Sequence, residues 1–133
     1  MDVTPAAHAA ALWAGLSLIL LLVLSVRVVR LRRKHAVVLG HGDIPELTHA
    51  VRAFGNATEY VPAALAAIAV LALVGAPPLL VHACGLMLFA GRLSHAVGLS
   101  RTGEASMPRA IGVVLTWLAY ILTAVALIFY AVP

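Results

Sequence analysis

The sequence predicts an all-α integral membrane protein, a bundle of four transmembrane helices, and three observations indicate this class. Of the 133 residues, 63% are hydrophobic and only 11% are charged, against about 25% charged residues in an ordinary soluble domain. Four long apolar segments are separated by short polar or Gly/Pro-containing turns. The basic residues collect at one end of these segments. Such a chain cannot cover itself with polar side chains, so most of its surface has to lie in lipid.

The four spans are predicted to form a single domain over residues 1–133. They cover about residues 6–29, 45–74, 79–99 and 107–132. Each is long enough for the hydrocarbon core, which an α-helix crosses in about 20 residues. A basic cluster follows the first segment and none precedes it, which favours a retained helix over a cleaved signal peptide. Pro45 and Glu46 are typical of a helix start, and Asp43 is predicted to cap that helix.

The distribution of charge predicts the orientation in the membrane. All nine Lys and Arg residues lie in or near the first loop, the third loop or the helix halves that adjoin them. The turn at residues 75–78 and the C-terminal tail contain none, and the N-terminus carries only Asp2. The positive-inside rule then places both basic loops in the cytoplasm and both termini on the opposite side. Because the charges bracket apolar helices, the net charge of +4 does not indicate a nucleic-acid partner.

A polar stripe on the second span is the first candidate functional feature. Arg52, Asn56 and Glu59 are spaced i, i+4 and i+7, so they fall within about 60° of one another around a helix. The turns from Tyr60 to Val74 carry almost no polar groups. The stripe is therefore predicted to end part-way into the bilayer, on its cytoplasmic side. Each charged side chain in a span costs about 2.5–3.5 kcal/mol on insertion scales, so it needs a partner or a use.

The other three spans carry polar side chains at a similar predicted depth. Arg92 and His95 share a helix face near the end of the third span. Arg109 lies in the first turns of the fourth span, and Arg30 ends the first. The sequence thus predicts one cytoplasm-proximal polar layer built from several helices.

The charges of this layer do not balance. Arg52, Arg92 and Arg109 face a single carboxylate, Glu59, and an uncompensated cluster of buried cations is unfavourable. The surplus indicates an anionic ligand with carboxylates or phosphates, which guanidinium groups bind well. The alternative is an internal network that holds the bundle together, with Glu59 paired to Arg52 or Arg92 and Asn56 hydrogen-bonded across helices.

Four stretches of this sequence carry a resemblance to a known family over nearly the whole chain. They are residues 30–34 (RLRRK), 52–62 (RAFGNATEYVP), 91–99 (GRLSHAVGL) and Pro108-Arg109. They resemble the MAPEG family, the membrane-associated proteins of eicosanoid and glutathione metabolism, and most of all its small bacterial members. The stretch in the second span is the most specific of the four.

The resemblance implies a homotrimer of four-helix subunits in a bacterial-type inner (plasma) membrane, with glutathione bound between subunits near the cytoplasmic leaflet. It matches six residues to glutathione-binding positions: Arg30, Arg52, Asn56, Glu59, Arg92 and His95. By this match, Arg52 and Asn56 hold the carboxylates and backbone of the peptide, and Glu59 holds its α-ammonium. Arg109 resembles the arginine that stabilises the glutathione thiolate, and it is therefore the catalytic candidate.

These patterns predict a glutathione-dependent transferase or peroxidase-like enzyme acting on a lipophilic small-molecule substrate, with membrane lipid around it and no nucleic-acid partner. One alternative is a non-catalytic membrane binder of glutathione or an anionic lipid. Leu99 and Val113 favour it, since they stand where active eukaryotic members often have tyrosines, and Gly55 replaces an arginine of some members. A structural membrane bundle is the other alternative.

A metal site is not predicted. His41 and Asp43 lie in the first loop with His35 and His49 on either side, but their spacing matches no recognised zinc pattern. We expect a solvated loop there.

Overall fold

Four helices make up the computed structural model, which describes residues 4–101 and 104–132. They are α1 (Pro5–His35), α2 (Pro45–Leu73), α3 (Pro78–Arg101) and α4 (Met107–Ala131). All four are long and apolar enough to cross a membrane, and the described residues contain no β-strand. The predicted all-α fold with four spans is confirmed. Asp2, which entered the predicted orientation, lies outside the described residues.

The first helix is longer than its predicted span and continues through the basic cluster to His35. Arginine and lysine are good helix formers, and cations are favoured in the last turn by the helix dipole. The helix ends at Ala36, which adopts the left-handed conformation with φ 53°. At 31 residues α1 is about 46 Å long, so its basic end extends beyond a hydrocarbon core of about 30 Å.

The second helix begins at Pro45 as predicted, but the prediction that Asp43 caps it is wrong. The N-cap is Ile44, which makes no side-chain hydrogen bond. Asp43 instead occupies a turn position with φ 53°, a conformation that aspartate tolerates better than most residues. Glu46 joins the two helices, with its Oε2 3.3 Å from Lys34 Nζ and 3.7 Å from His35 Nε2.

Helices α2 and α3 occupy the centre of the bundle. Each contacts the other and both outer helices, whereas α1 and α4 do not contact one another within the described residues. Helices α3 and α4 approach one another closely where glycines replace larger side chains. A Cβ atom on Gly91 would lie 2.8 Å from Thr116 Oγ1, and one on Gly112 would lie 2.5 Å from the backbone nitrogen of His95. This close packing is typical of helices that associate in lipid.

The outer surface of the bundle is apolar. Large aliphatic side chains on it are more than half exposed, among them Leu18 and Leu22 on α1 and Ile121 and Val125 on α4. A soluble monomer rarely exposes such a continuous apolar surface. The surface is therefore suited to contact with lipid or with other subunits.

Candidate functional site

A buried guanidinium lies at the centre of the bundle. Arg92 on α3 is 2% exposed, and it donates to three acceptors on two other helices. Its Nε donates to Thr116 Oγ1 at 2.8 Å, its Nη1 to Asn56 Oδ1 at 2.8 Å and its Nη2 to the carbonyl of Gly112 at 3.2 Å. The side chain thus joins α2, α3 and α4 by hydrogen bonds to a charged donor, which are stronger than neutral ones.

Two tyrosines complete the surroundings of this guanidinium. Arg92 Cζ lies 4.8 Å from the centroid of the Tyr60 ring, a cation–π distance that stabilises a desolvated cation. Tyr120 contacts the Tyr60 ring edge to face at 5.9 Å, and its hydroxyl donates to the carbonyl of Tyr60 at 2.7 Å. The positive charge is therefore surrounded by neutral acceptors and a π face, with no carboxylate among these contacts.

Sequence reasoning missed Thr116 and Tyr120 as parts of this network. A signal for Thr116 is present in the sequence, because it follows Arg109 by seven residues and so lies on the same face of α4. Tyr120 lies one further turn along that face. The helix periodicity therefore marks both residues as neighbours of the polar layer, although it does not name Arg92 as their partner.

The polar stripe of α2 is divided between the inside and the outside of the bundle. Asn56 is half-buried and faces Arg92, whereas Arg52 and Glu59 are exposed. The buried face of α2 consists of small and aliphatic residues such as Ala53 and Ala57, and the charged residues lie on the opposite side. Asn56, offset by about 60° from Glu59 around the helix, connects the two sides.

Glu59 does not neutralise an arginine in this arrangement. Among the described residues, Glu46 forms ion pairs with Lys34 and His35. Neither pair considered for Glu59, with Arg52 or with Arg92, is formed there. The predicted cross-helix hydrogen bond of Asn56 is present, and its partner is Arg92.

A second polar site lies where α3 ends and α4 begins. An open pocket of about 340 Å³ is lined by His95, Ser106, Arg109 and Val113, with two alanines. His95 is 6% exposed, and Arg109 is half-buried and donates from Nη1 to the carbonyl of Glu104 at 3.0 Å. The structure therefore brings the predicted catalytic arginine and the predicted ligand-binding histidine to one pocket.

A glycine permits this arrangement of the two helix ends. A Cβ atom on Gly98 would lie 2.8 Å from the backbone nitrogen of Arg109 and 3.0 Å from Ser106 Oγ. Ser106 Oγ is buried and has no hydrogen-bond partner within the described part of the chain. The pocket thus contains one buried hydroxyl that can accept a bond from, or donate one to, a ligand.

Three of the seven predicted site residues lie on the surface of the subunit: Arg30, Arg52 and Glu59. Arg30 lines a groove of about 600 Å³ together with Arg27, Glu46 and aliphatic side chains of α1. Within one subunit, the predicted residues accordingly fall into three groups. Asn56 is hydrogen-bonded to Arg92, His95 and Arg109 line one pocket, and Arg30, Arg52 and Glu59 face outward.

Comparison with known proteins agrees with this architecture. The model of the MAPEG family matches residues 10–129. The chain is 40% identical to the inner membrane protein YecN of Escherichia coli strain K12 over 120 residues, which is 90% of each chain. It is equally similar, over the same share of both chains, to YecN of Escherichia coli O6:H1 strain CFT073. With four membrane-spanning helices and a family match over nearly its whole length, this chain belongs to the MAPEG family.

Proposed function

We propose that this protein is a glutathione-dependent membrane enzyme, transferase-like or peroxidase-like, that acts on lipophilic electrophiles. In this proposal it works as a homotrimer in the inner membrane, where its Escherichia coli relatives are placed by name. Glutathione lies between subunits near the cytoplasmic leaflet, and both termini lie on the other side of the membrane. Membership of the MAPEG family supports the use of glutathione.

The observation that carries the proposal is the exposure of Arg52 and Glu59 within a membrane-spanning helix. Glu59 lies 14 residues before Leu73, the last residue of α2, which is about 21 Å along the helix axis. That position is inside a hydrocarbon core of about 30 Å. Because a carboxylate facing lipid at this depth is unfavourable, a neighbouring subunit and a charged ligand are expected to cover it.

The residues fit the charges of glutathione. The peptide carries two carboxylates and one ammonium group at neutral pH. Arg30 and Arg52 supply guanidinium groups for the carboxylates, and Glu59 supplies a carboxylate for the ammonium. Asn56 accepts from Arg92 through Oδ1, so its amide nitrogen is the group that donates to the ligand.

Arg109 is positioned to stabilise a thiolate. It lies in the first turn of α4, where the helix dipole and its own charge both favour a nearby anion. When bound, glutathione supplies a thiolate nucleophile for an electrophilic carbon or a peroxide oxygen. Ala110 and Val113 give the pocket an apolar wall beside Arg109, which suits a substrate arriving from lipid.

A non-catalytic binder of glutathione is the second candidate. Leu99 is buried and Val113 lines the pocket of Arg109, so neither position offers a hydroxyl group near the sulfur. The absence of these two hydroxyl groups argues against catalytic turnover and does not affect the proposed binding of glutathione.

An assay of glutathione conjugation to an activated aryl halide, together with calorimetry of glutathione binding, separates these candidates. The enzyme proposal expects turnover that Arg109→Ala lowers by at least tenfold while binding persists. If the protein binds glutathione without turnover, and Arg109→Ala leaves the binding affinity unchanged, the protein is a non-catalytic binder. Absence of both binding and turnover would refute the use of glutathione.

A further inference from the structure

A groove of about 360 Å³ runs between α1 and α3 on the outside of the bundle. Leu20 and Val23 from α1 and Leu93 and Val97 from α3 form its aliphatic walls. Val23 and Leu93 are 58% and 42% exposed, so the groove is open along its length. Its volume lies within the range of about 300–1,000 Å³ that small-molecule sites occupy.

Two arginines lie at one end of this groove. Arg27 is 22 residues from Pro5, and Arg101 is 23 residues from Pro78. These separations correspond to about 33 and 35 Å along the two helices, slightly more than the thickness of the hydrocarbon core. Both guanidinium groups are therefore expected at the level of the lipid headgroups, with the aliphatic walls at the level of the acyl chains.

The two arginines leave hydrogen-bonding capacity at the end of the groove. Arg27 Nη2 donates to the carbonyl of Ser100 at 3.5 Å, which directs the half-buried guanidinium from α1 toward the end of α3. A guanidinium has five N–H donors, and this is its single hydrogen bond among the described residues. Arg101 is exposed. A phosphodiester is a bidentate acceptor that matches such donors.

From these observations we propose that the groove between α1 and α3 binds an anionic phospholipid. Its phosphodiester lies between Arg27 and Arg101, and one acyl chain lies against Val23, Leu93 and Val97. The site does not rest on the proposed function, because it shares no residue with the proposed glutathione site.

The charges of the neighbouring grooves favour this location. An adjoining groove on α1 shares Val23 and Arg27 with this one, but it also includes the carboxylate of Glu46, which repels a phosphate. No acidic residue lines the groove between α1 and α3. An acidic headgroup therefore meets two cations and no competing anion there.

The packing of the bundle separates this groove from the exposed charges of α2. Since α1, α2 and α3 contact one another, the outer groove between α1 and α3 lies on the side opposite α2. The exposed charges Arg52 and Glu59 are on α2. A subunit that packs on that face of α2 would leave the α1–α3 groove facing the bilayer.

The test uses the purified full chain in neutral detergent, with native mass spectrometry to count bound lipid. Phosphatidylglycerol is expected to bind more tightly than phosphatidylcholine of the same acyl length. Arg27→Gln and Arg101→Gln are each expected to lower the phosphatidylglycerol affinity about fivefold. Arg33→Gln removes the same charge from an exposed site outside the groove and is expected to leave that affinity unchanged.

A second pair of variants tests the acyl-chain part of the site without altering charge. Val97→Phe fills the groove and is expected to remove the preference for phosphatidylglycerol. Val114→Phe adds the same ring to an exposed position on α4 and should retain it. Glutathione binding is expected to be the same in all these variants.

Three results would overturn the lipid site. The first is an equal affinity for phosphatidylglycerol and phosphatidylcholine. The second is an equal loss of phosphatidylglycerol affinity in Arg33→Gln and Arg27→Gln. The third is full competition of inorganic phosphate with phosphatidylglycerol, which would identify a small-anion site. None of these results bears on glutathione, whose binding is measured separately.

Discussion

Arg92 Nη1 donates to Asn56 Oδ1 at 2.8 Å, and this bond connects the interior of the bundle to the charged face of α2. Because the oxygen of the Asn56 amide is held by the guanidinium, its nitrogen is directed away from Arg92. Asn56 therefore has one fixed orientation, set by a residue 36 positions later in the chain. In the proposed enzyme Arg92 is thus expected to act by positioning Asn56.

Arg92→Ala is expected to destabilise the protein by about 2–3 kcal/mol, because it removes three hydrogen bonds from a charged donor and leaves buried acceptors unpaired. Arg92→Lys should recover only part of this loss, since an ammonium group cannot match the fork of a guanidinium. Thermal unfolding in detergent measures the destabilisation of both variants. Arg33→Ala, at an exposed position, is the control. The interpretation fails if Arg92→Ala unfolds at the same temperature as the unaltered protein.

Thr116 gives a narrower test of the same network. Its Oγ1 accepts from Arg92 Nε at 2.8 Å and donates to the carbonyl of Gly112 at 2.7 Å. Thr116→Val keeps the shape and removes the hydroxyl, which is expected to cost about 1–2 kcal/mol of unfolding free energy. Thr116→Ser keeps the hydroxyl and should cost less. Equal unfolding midpoints for the two variants would show that the hydroxyl does not contribute.

The close approach of α3 and α4 makes Gly112 sensitive to substitution. The added Cβ atom of Gly112→Ala would meet the backbone nitrogen and Cβ of His95 at 2.5 and 2.6 Å. Backbone atoms cannot rotate away, so the helices have to separate, at an expected cost of about 1–3 kcal/mol. Gly15→Ala, with no atom within 4 Å of its Cβ, is the matched control. Comparable unfolding temperatures for the two alanine variants would contradict the packing.

The sequence predicts the four helices because each contains a long apolar segment, although α1 continues past its predicted span through the basic cluster to His35. The prediction that Asp43 caps α2 is wrong, because the conformation of the loop places Ile44 at the N-cap. The i, i+4, i+7 spacing places Arg52, Asn56 and Glu59 within about 60° of one another around α2. An offset of about 60° is nevertheless enough to turn Asn56 inward while the charged residues stay outside.

The partners of Arg92 were not predictable from spacing alone. Thr116 and Gly112 lie 24 and 20 residues away on another helix. Glycines such as Gly91 allow close contact, and they determine which faces of α3 and α4 meet. Local periodicity identifies a polar face of a helix, whereas the choice of its partner is a property of the whole bundle.

Glu59 provides the sharpest test of the proposed glutathione site. Glu59→Gln removes the charge that would hold the α-ammonium group, and it is expected to weaken glutathione binding by about 10- to 100-fold, as for other hydrogen bonds to charged groups. Its exposed carboxylate has no ion pair among the described residues, so the unfolding temperature of the ligand-free protein should hardly change. Isothermal calorimetry and thermal unfolding measure the two effects.

Asp43→Asn is the control for this experiment, because it removes the same charge from an exposed turn position whose φ of 53° asparagine also tolerates. It is expected to leave glutathione affinity unaltered. If Glu59→Gln binds glutathione as tightly as Asp43→Asn and the unaltered protein do, Glu59 does not contact the ligand. The outward-facing charges of α2 would then be explained by contacts between subunits alone, since a carboxylate at this depth still has to be shielded from lipid.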